Sequence, residues 1–129
     1  MHTTNYIDAF IAVAEDCPVT ASRIPPDREP KSIARRTWEM LIETPYQYTS
    51  DDVLYTVQGQ PKGVSREEFF SKPQPCFRAS PLTKQYGWGI HADGQGKIAL
   101  IAMESKEYAH LLADKNLSQK KAMRSARQR

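Results

Sequence analysis

The chain is poor in the residues from which metal and redox centres are built. Its 129 residues include three histidines (His2, His91, His110) and two cysteines (Cys17, Cys76), with neither a C-x-x-C nor an H-x-x-x-H spacing. Zinc sites usually show paired ligand spacing, so no metal and no cofactor is expected. Two cysteines make no disulfide framework and are expected as reduced thiols. Met1-His2-Thr3-Thr4-Asn5 lacks the basic region and apolar stretch of a signal peptide. No apolar run approaches the roughly 18 residues that span a bilayer. A cytoplasmic protein without a membrane partner is the expectation. Internal repeats, G-x-G-x-x-G and G-x-S-x-G are also missing, which removes the usual signatures of dinucleotide binding and of a serine nucleophile.

Hydrophobic residues make up 40% of the chain, a little below the usual globular share, which fits one domain with a modest core. The net charge of +3 is unevenly placed. Of the eighteen bases, six follow Asp114, where there are no acids; the twelve before it face fifteen acids, a balance of −3. The globular part is mildly acidic and the basicity belongs to the end. The expected division is one domain over residues 1–116 and a basic, flexible tail over 117–129.

Residues 6–14 alternate, with Ile7, Ala9, Ile11 and Val13 on one face, and predict a largely buried strand. Residues 18–30 hold four of the nine prolines and read as an extended surface loop. Ser32 caps a predicted helix to Thr44 in which Ala34, Trp38 and Leu41 face the core; Pro45 ends it. Thr49-Ser50-Asp51-Asp52 suits a helix start, although Val53-Leu54-Tyr55-Thr56-Val57 is also a good strand sequence. Residues 59–63 read as a turn, and Ser65 with Glu68 as a capping box opening a short helix. Two apolar runs, 88–92 and 98–103, flank Asp93-Gly94-Gln95-Gly96, a strong hairpin signal. Ser105 caps a last helix whose buried stripe is Tyr108, Leu111 and Leu112. Strands and helices in blocks, with one clear hairpin, predict an α+β fold: a single small domain with a mainly antiparallel sheet packed by helices.

The richest chemistry lies in residues 76–91, Cys-Phe-Arg-Ala-Ser-Pro-Leu-Thr-Lys-Gln-Tyr-Gly-Trp-Gly-Ile-His. Ser80 at an N-cap and Pro81 at the first helical position predict a helix of about one and a half turns. Arg78 and Lys84 near its start make sense if an anion sits there, a phosphate or a carboxylate. Trp88 and His91 fall on opposite faces of the following strand, so His91 shares a face with the small gap at Gly89. Arg78, Ser80, Lys84, Tyr86, Trp88 and His91 are therefore the candidate ligand residues. Cys76, two residues from Arg78, is the candidate reactive thiol, and a Cys76–His91 dyad would be the sharpest enzymatic arrangement. Plainer accounts stand beside each. Arg78 and Lys84 pair with surface acids, Trp88 is core, His91 is solvated, and free cysteines are most often small buried hydrophobes.

Lys120, Arg124 and Arg127 fall at i, i+4 and i+7 if the end is helical, with Lys121 beside them, a spacing that suits nucleic acid or an acidic protein. No aromatics interleave, so base stacking is missing, and short basic ends are commonly just solubilising. The leading functional expectation is a small domain that binds an anionic small molecule at residues 78–91, with binding or catalysis left open. The alternatives are an interaction module acting through the basic tail and a homodimer.

Several runs carry a resemblance to a known family: Glu15-Asp16-Cys17-Pro18, Tyr48-Thr49-Ser50-Asp51-Asp52-Val53, Phe69-Phe70-Ser71-Lys72, Cys76-Phe77-Arg78, Ser80-Pro81-Leu82-Thr83-Lys84, Tyr86-Gly87-Trp88-Gly89-Ile90-His91 and Lys121-Ala122-Met123-Arg124-Ser125. The chain resembles the small bacterial proteins grouped as DUF6157, a domain of unknown function, over nearly its whole length. The resemblance implies one cytosolic bacterial domain and supplies no reaction, cofactor or catalytic residue.

Overall fold

A computed structural model describes residues 2–125. Its centre is the strand β1 (Ala9–Ala12), all four residues of which are buried. β2 (Trp88–Ala92) and β3 (Ile98–Ala102) form the hairpin on one side of it, joined through Asp93, whose carboxylate accepts from the backbone of Gln95 and Lys97 at 2.9 Å each. β4 (Ser118–Lys121) lies on the other side. The strand order is β3-β2-β1-β4; β1–β2 and β2–β3 are antiparallel and β1–β4 is parallel. Two of three pairings are antiparallel, and the fold is α+β.

The sheet has a broad face and a narrow one. On the broad face Ile11, Ile90, Ala92 and Ile98 pack against Leu41, Val53, Val57, Phe70 and Phe77. The helices there are α1 (Ile33–Glu43) and α2 (Ser50–Leu54). Ser32 caps α1 through the Arg35 amide at 3.1 Å. Thr49 and Asp52 close a full capping box on α2, which favours helix over strand at Val53 and Leu54 because two otherwise unpaired amides are satisfied within four residues. On the narrow face Phe10, Ala12 and Ile101 pack against Tyr108 of α5 (Lys106–Leu112), capped by Ser105.

Several expectations are corrected. Residues 59–63 are not a simple turn. α2 widens into a π-helical turn, Tyr55–Gly59, and then a 3-10 turn, Gln60–Lys62, which ends at Gly63 with φ +74°. Gly59 permits this: a Cβ there would lie 2.6 Å from the Tyr55 ring and 3.0 Å from the Phe69 ring. The buried stripe of α1 is Ala34, Thr37 and Leu41. Trp38 is half-buried under the Arg35 guanidinium at 5.0 Å, and its indole N–H has no partner among the described residues. Thr37 takes the inward position because its hydroxyl donates to the Ile33 carbonyl at 2.8 Å, so burial leaves no polar group unpaired. In α3 (Arg66–Phe69) the Ser65 hydroxyl accepts from the Glu68 amide, which is one half of the expected box. In α5 only Tyr108 is buried, and Leu112 is exposed.

The sheet also runs past the expected domain boundary at Asn116. The polar run Ser118–Lys121 becomes β4 because β1 has an open edge: Ser118 N–H donates to Asp8 O and Ala122 N–H to Ala12 O, each at 2.8 Å. Lys120 is therefore in a strand, not on a helix face with Arg124; Arg127 lies outside the described residues.

Candidate functional site

Residues 76–84 are clipped to the sheet before they form a site. Cys76 precedes a 3-10 turn, Phe77–Ala79, and Ser80 caps α4 (Pro81–Lys84). Phe77 is buried in the broad core. Thr83 is fully buried and its hydroxyl donates to the Phe77 carbonyl at 2.7 Å, while its own carbonyl accepts from Ala14 N–H at 3.0 Å. With Phe77 and Thr83 held inward, Cys76, Ala79 and Ser80 turn toward α1 and the π turn. Between them is a cleft of about 210 Å³, bounded on the far side by Ile33, Thr37, Leu54 and Gln58 and mostly apolar. Arg36 braces that far wall by donating from Nη1 to the Val57 carbonyl of the π turn at 3.1 Å.

Two further side chains meet at Cys76. The Tyr6 hydroxyl lies 3.4 Å from its sulfur, a hydrogen bond in which either can donate. Tyr6 is brought there by the amino-terminal segment, which Asp51 of α2 ties down by accepting the Thr4 amide and the Thr3 and Thr4 hydroxyls at 2.7 Å each. Burial pushes the Tyr6 phenol above its ordinary pKa, helped by Cys76 and opposed by the charge and hydrogen bond of Arg78. Arg78 donates from Nε to the Lys121 carbonyl at 2.6 Å, and its own carbonyl accepts from Met123 N–H at 2.7 Å. It straps the end of β4 to the site. Among the described residues, Arg78 makes no ion pair with a carboxylate.

The structure divides the residues expected from the sequence. Cys76 and Ser80 line the cleft, whereas Arg78, between them in the chain, turns to the end of β4 and is not part of the cleft wall. Lys84 and Tyr86 are half-buried beyond it, and the Tyr86 carbonyl accepts from Arg23 N–H at 2.8 Å. Trp88 is buried and donates from Nε1 to the Arg23 carbonyl at 2.9 Å, so it holds the proline-rich segment in place. His91 is on the opposite, narrow face, opposite Phe10 in the ladder. Its Nδ1 lies 2.8 Å from the Tyr46 hydroxyl, with the rings edge to face. Tyr46 adopts φ +60°, a conformation uncommon for a bulky residue. Burial, then Glu107 and Asp93, pushes its phenol upward. Because Cys76 and His91 occupy opposite sides of the sheet, the Cys76–His91 dyad does not form.

The basic end is partly neutralised. Lys121 and Arg124 both pair with Glu15 at 2.9 Å, and those contacts, the Lys121 hydrogen bond leading, set the Glu15 carboxyl below its usual pKa against a smaller opposing effect of desolvation. Cys17 and Cys76 are free, half-buried thiols. Among the described residues no group of three or more His, Cys, Asp or Glu could hold a metal ion, and no helix is long and apolar enough to cross a membrane. Sequence reasoning missed Tyr6, Thr37 and Gln58, because nothing local marks residues that join a site from distant parts of the chain, Tyr6 from 70 positions away.

A mixed four-stranded sheet with a cleft on its helical face defines a small α+β protein. The chain belongs to the Family of unknown function (DUF6157), whose model matches residues 1–128. No curated protein and no solved structure matches it.

Proposed function

We propose that the protein binds a small molecule with a compact apolar body and a negatively charged end. The body would sit between Ile33, Thr37, Leu54 and Ala79, and the charge would face Arg78 with help from the Ser80 hydroxyl. The observation that carries this reading is an apolar cleft walled by Cys76, Phe77, Ala79 and Ser80, with Arg78 next to them in the chain, outside the wall and without a carboxylate partner among the described residues. At about 210 Å³ the cleft is below the ~300–1,000 Å³ range that takes drug-sized ligands, so a metabolite of a few carbons fits better. Arginine favours carboxylates and phosphates because its planar fork can donate two parallel hydrogen bonds. This reading moves the ligand from residues 78–91 as a whole to the Cys76, Arg78 and Ser80 end.

The other partners expected from the sequence have less behind them. Lys121 and Arg124 already face Glu15, which leaves less free charge for nucleic acid or an acidic protein. A second copy of the chain has only the sheet edges to support it. A cytosolic, bacterial setting rests on the family resemblance and on the free thiols.

Thermal melts with small carboxylates and phosphorylated metabolites test the proposal. A ligand at a hundred times its dissociation constant stabilises by about 2.7 kcal/mol, enough to move a melt. The shift should vanish in Ala79→Leu, which fills the cleft, and fall in Arg78→Gln. A shift that survives both substitutions places the ligand elsewhere.

A further inference from the structure

The wall of the cleft carries a nucleophile that reversible binding does not use. Cys76 lines the cleft, and behind the wall the Tyr6 hydroxyl is 3.4 Å from its sulfur; Arg78, which donates from Nε to the Lys121 carbonyl, interacts with that hydroxyl and has no carboxylate of its own among the described residues. We infer that Cys76 is a covalent acceptor for compact electrophiles that carry a carboxylate, of which α,β-unsaturated acids are the fitting class. The inference rests on the binding reading above and adds a reaction to it.

The parts divide the work by their chemistry. The cleft admits a short carbon chain and holds it against the sulfur, which raises the effective concentration of the reacting carbon. Arg78 attracts the carboxylate and orients it. A protonated phenol is a donor, so Tyr6 can hydrogen-bond the thiolate as it forms; its raised pKa keeps that proton in place at neutral pH. In the addition, sulfur bonds to the β-carbon and the C=C π bond breaks. The freed electron pair takes up, at the α-carbon, the proton that the thiol lost. Nothing is oxidised or reduced, and no third reactant is needed. Cys17 is the built-in contrast: it is half-buried, follows Glu15 and Asp16 in the chain, and does not line the cleft.

Iodoacetate and iodoacetamide test this, because both displace iodide from carbon by the same attack of sulfur and differ only in charge. Rates at each cysteine are read by peptide mass spectrometry on the full chain. In the folded protein the iodoacetate-to-iodoacetamide ratio at Cys76 should exceed that of the same cysteine in the urea-unfolded chain by about tenfold, the worth of one hydrogen bond to a charged group. Cys17 should show no such gain. Arg78→Gln should remove the gain, and Tyr6→Phe should slow both reagents together while keeping the ratio. If Arg78→Gln fails to fold, the folded-to-unfolded comparison in the parent decides alone. Acrylate should add its full mass at Cys76 before Cys17. A ratio at Cys76 no higher than in the unfolded chain overturns the inference. Melts of Cys76→Ser with propionate separate the two levels: a retained shift leaves binding standing without the thiol chemistry, and no shift in either protein removes the binding reading itself.

Discussion

The two faces of the sheet are packed to opposite effect. On the narrow face one seven-residue helix sets Tyr108 edge-on to Phe10, with ring centroids 5.1 Å apart. Both rings close over Gly89, where a methyl group would lie 2.9 Å from each. The Tyr108 hydroxyl then accepts from Val13 N–H at 2.9 Å and locks the lid. On the broad face eleven buried residues come from the strands, from α1, α2, the π turn and the end of α3, and from the 3-10 turn at Phe77–Ala79, and a cleft of about 210 Å³ remains between the helical elements. The contrast shows where a ligand has room. Interlocked rings leave none, whereas turns of different pitch cannot interdigitate at one density.

The contrast breaks hardest at Phe10. Phe10→Ala should cost about 3–5 kcal/mol in urea unfolding, since the ring is fully buried and its space cannot collapse beneath Tyr108. A loss under about 1 kcal/mol, the size of an ordinary surface change, would mean that the narrow face is not sealed. Gly89→Ala is next, at about 1–3 kcal/mol, because the added methyl must displace both rings and also meets the Ile11 carbonyl at 3.1 Å.

On the broad face the largest single local device is the cap of α2. Thr49→Ala should cost about 1 kcal/mol. Its partner Asp52 gives the pH dependence. Partial burial works against its ionisation, yet the Thr49 backbone and hydroxyl and Arg66 hold its carboxyl below the usual value. A depressed folded pKa stabilises the fold above the unfolded value, about 3.9, and that stabilisation is lost as pH falls through the folded value. Urea midpoints measured from pH 6 down to pH 3 should therefore fall more in the parent than in Asp52→Asn; parallel curves would remove Asp52 from the account. The smallest effect is expected at Ala79→Leu. Three added carbons should change stability by less than about 1 kcal/mol because the cleft accepts them, against the clear loss from one methyl at Gly89. A loss as large as that of Gly89→Ala would show that the two faces are equally full.

Much of the fold was legible because its signals are local. Ser32, Thr49, Ser65, Ser80 and Ser105 each cap a helix through an amide two or three residues away, and Asp93 closes its hairpin within four. β4 was not legible. Ser-Gln-Lys-Lys has no apolar alternation, and it is a strand only because the free edge of β1 supplies its partners. The site was half legible. Cys76 and Ser80 stand close in the chain and both line the cleft, Arg78 between them turns to β4, and alternation along β2 already separated Trp88 from His91.

The sequence by itself determined the elements and their ends, since a cap, a proline or a hairpin turn satisfies backbone groups within a few residues whatever the rest of the chain does. Only the tertiary structure decided the parallel seat of β4, the meeting of Tyr6 with Cys76 across 70 residues and that of Tyr46 with His91 across 45. Such contacts depend on which apolar faces close on one another, and that burial is non-directional: it sets how much surface is hidden, while the geometry of the whole chain selects the partner.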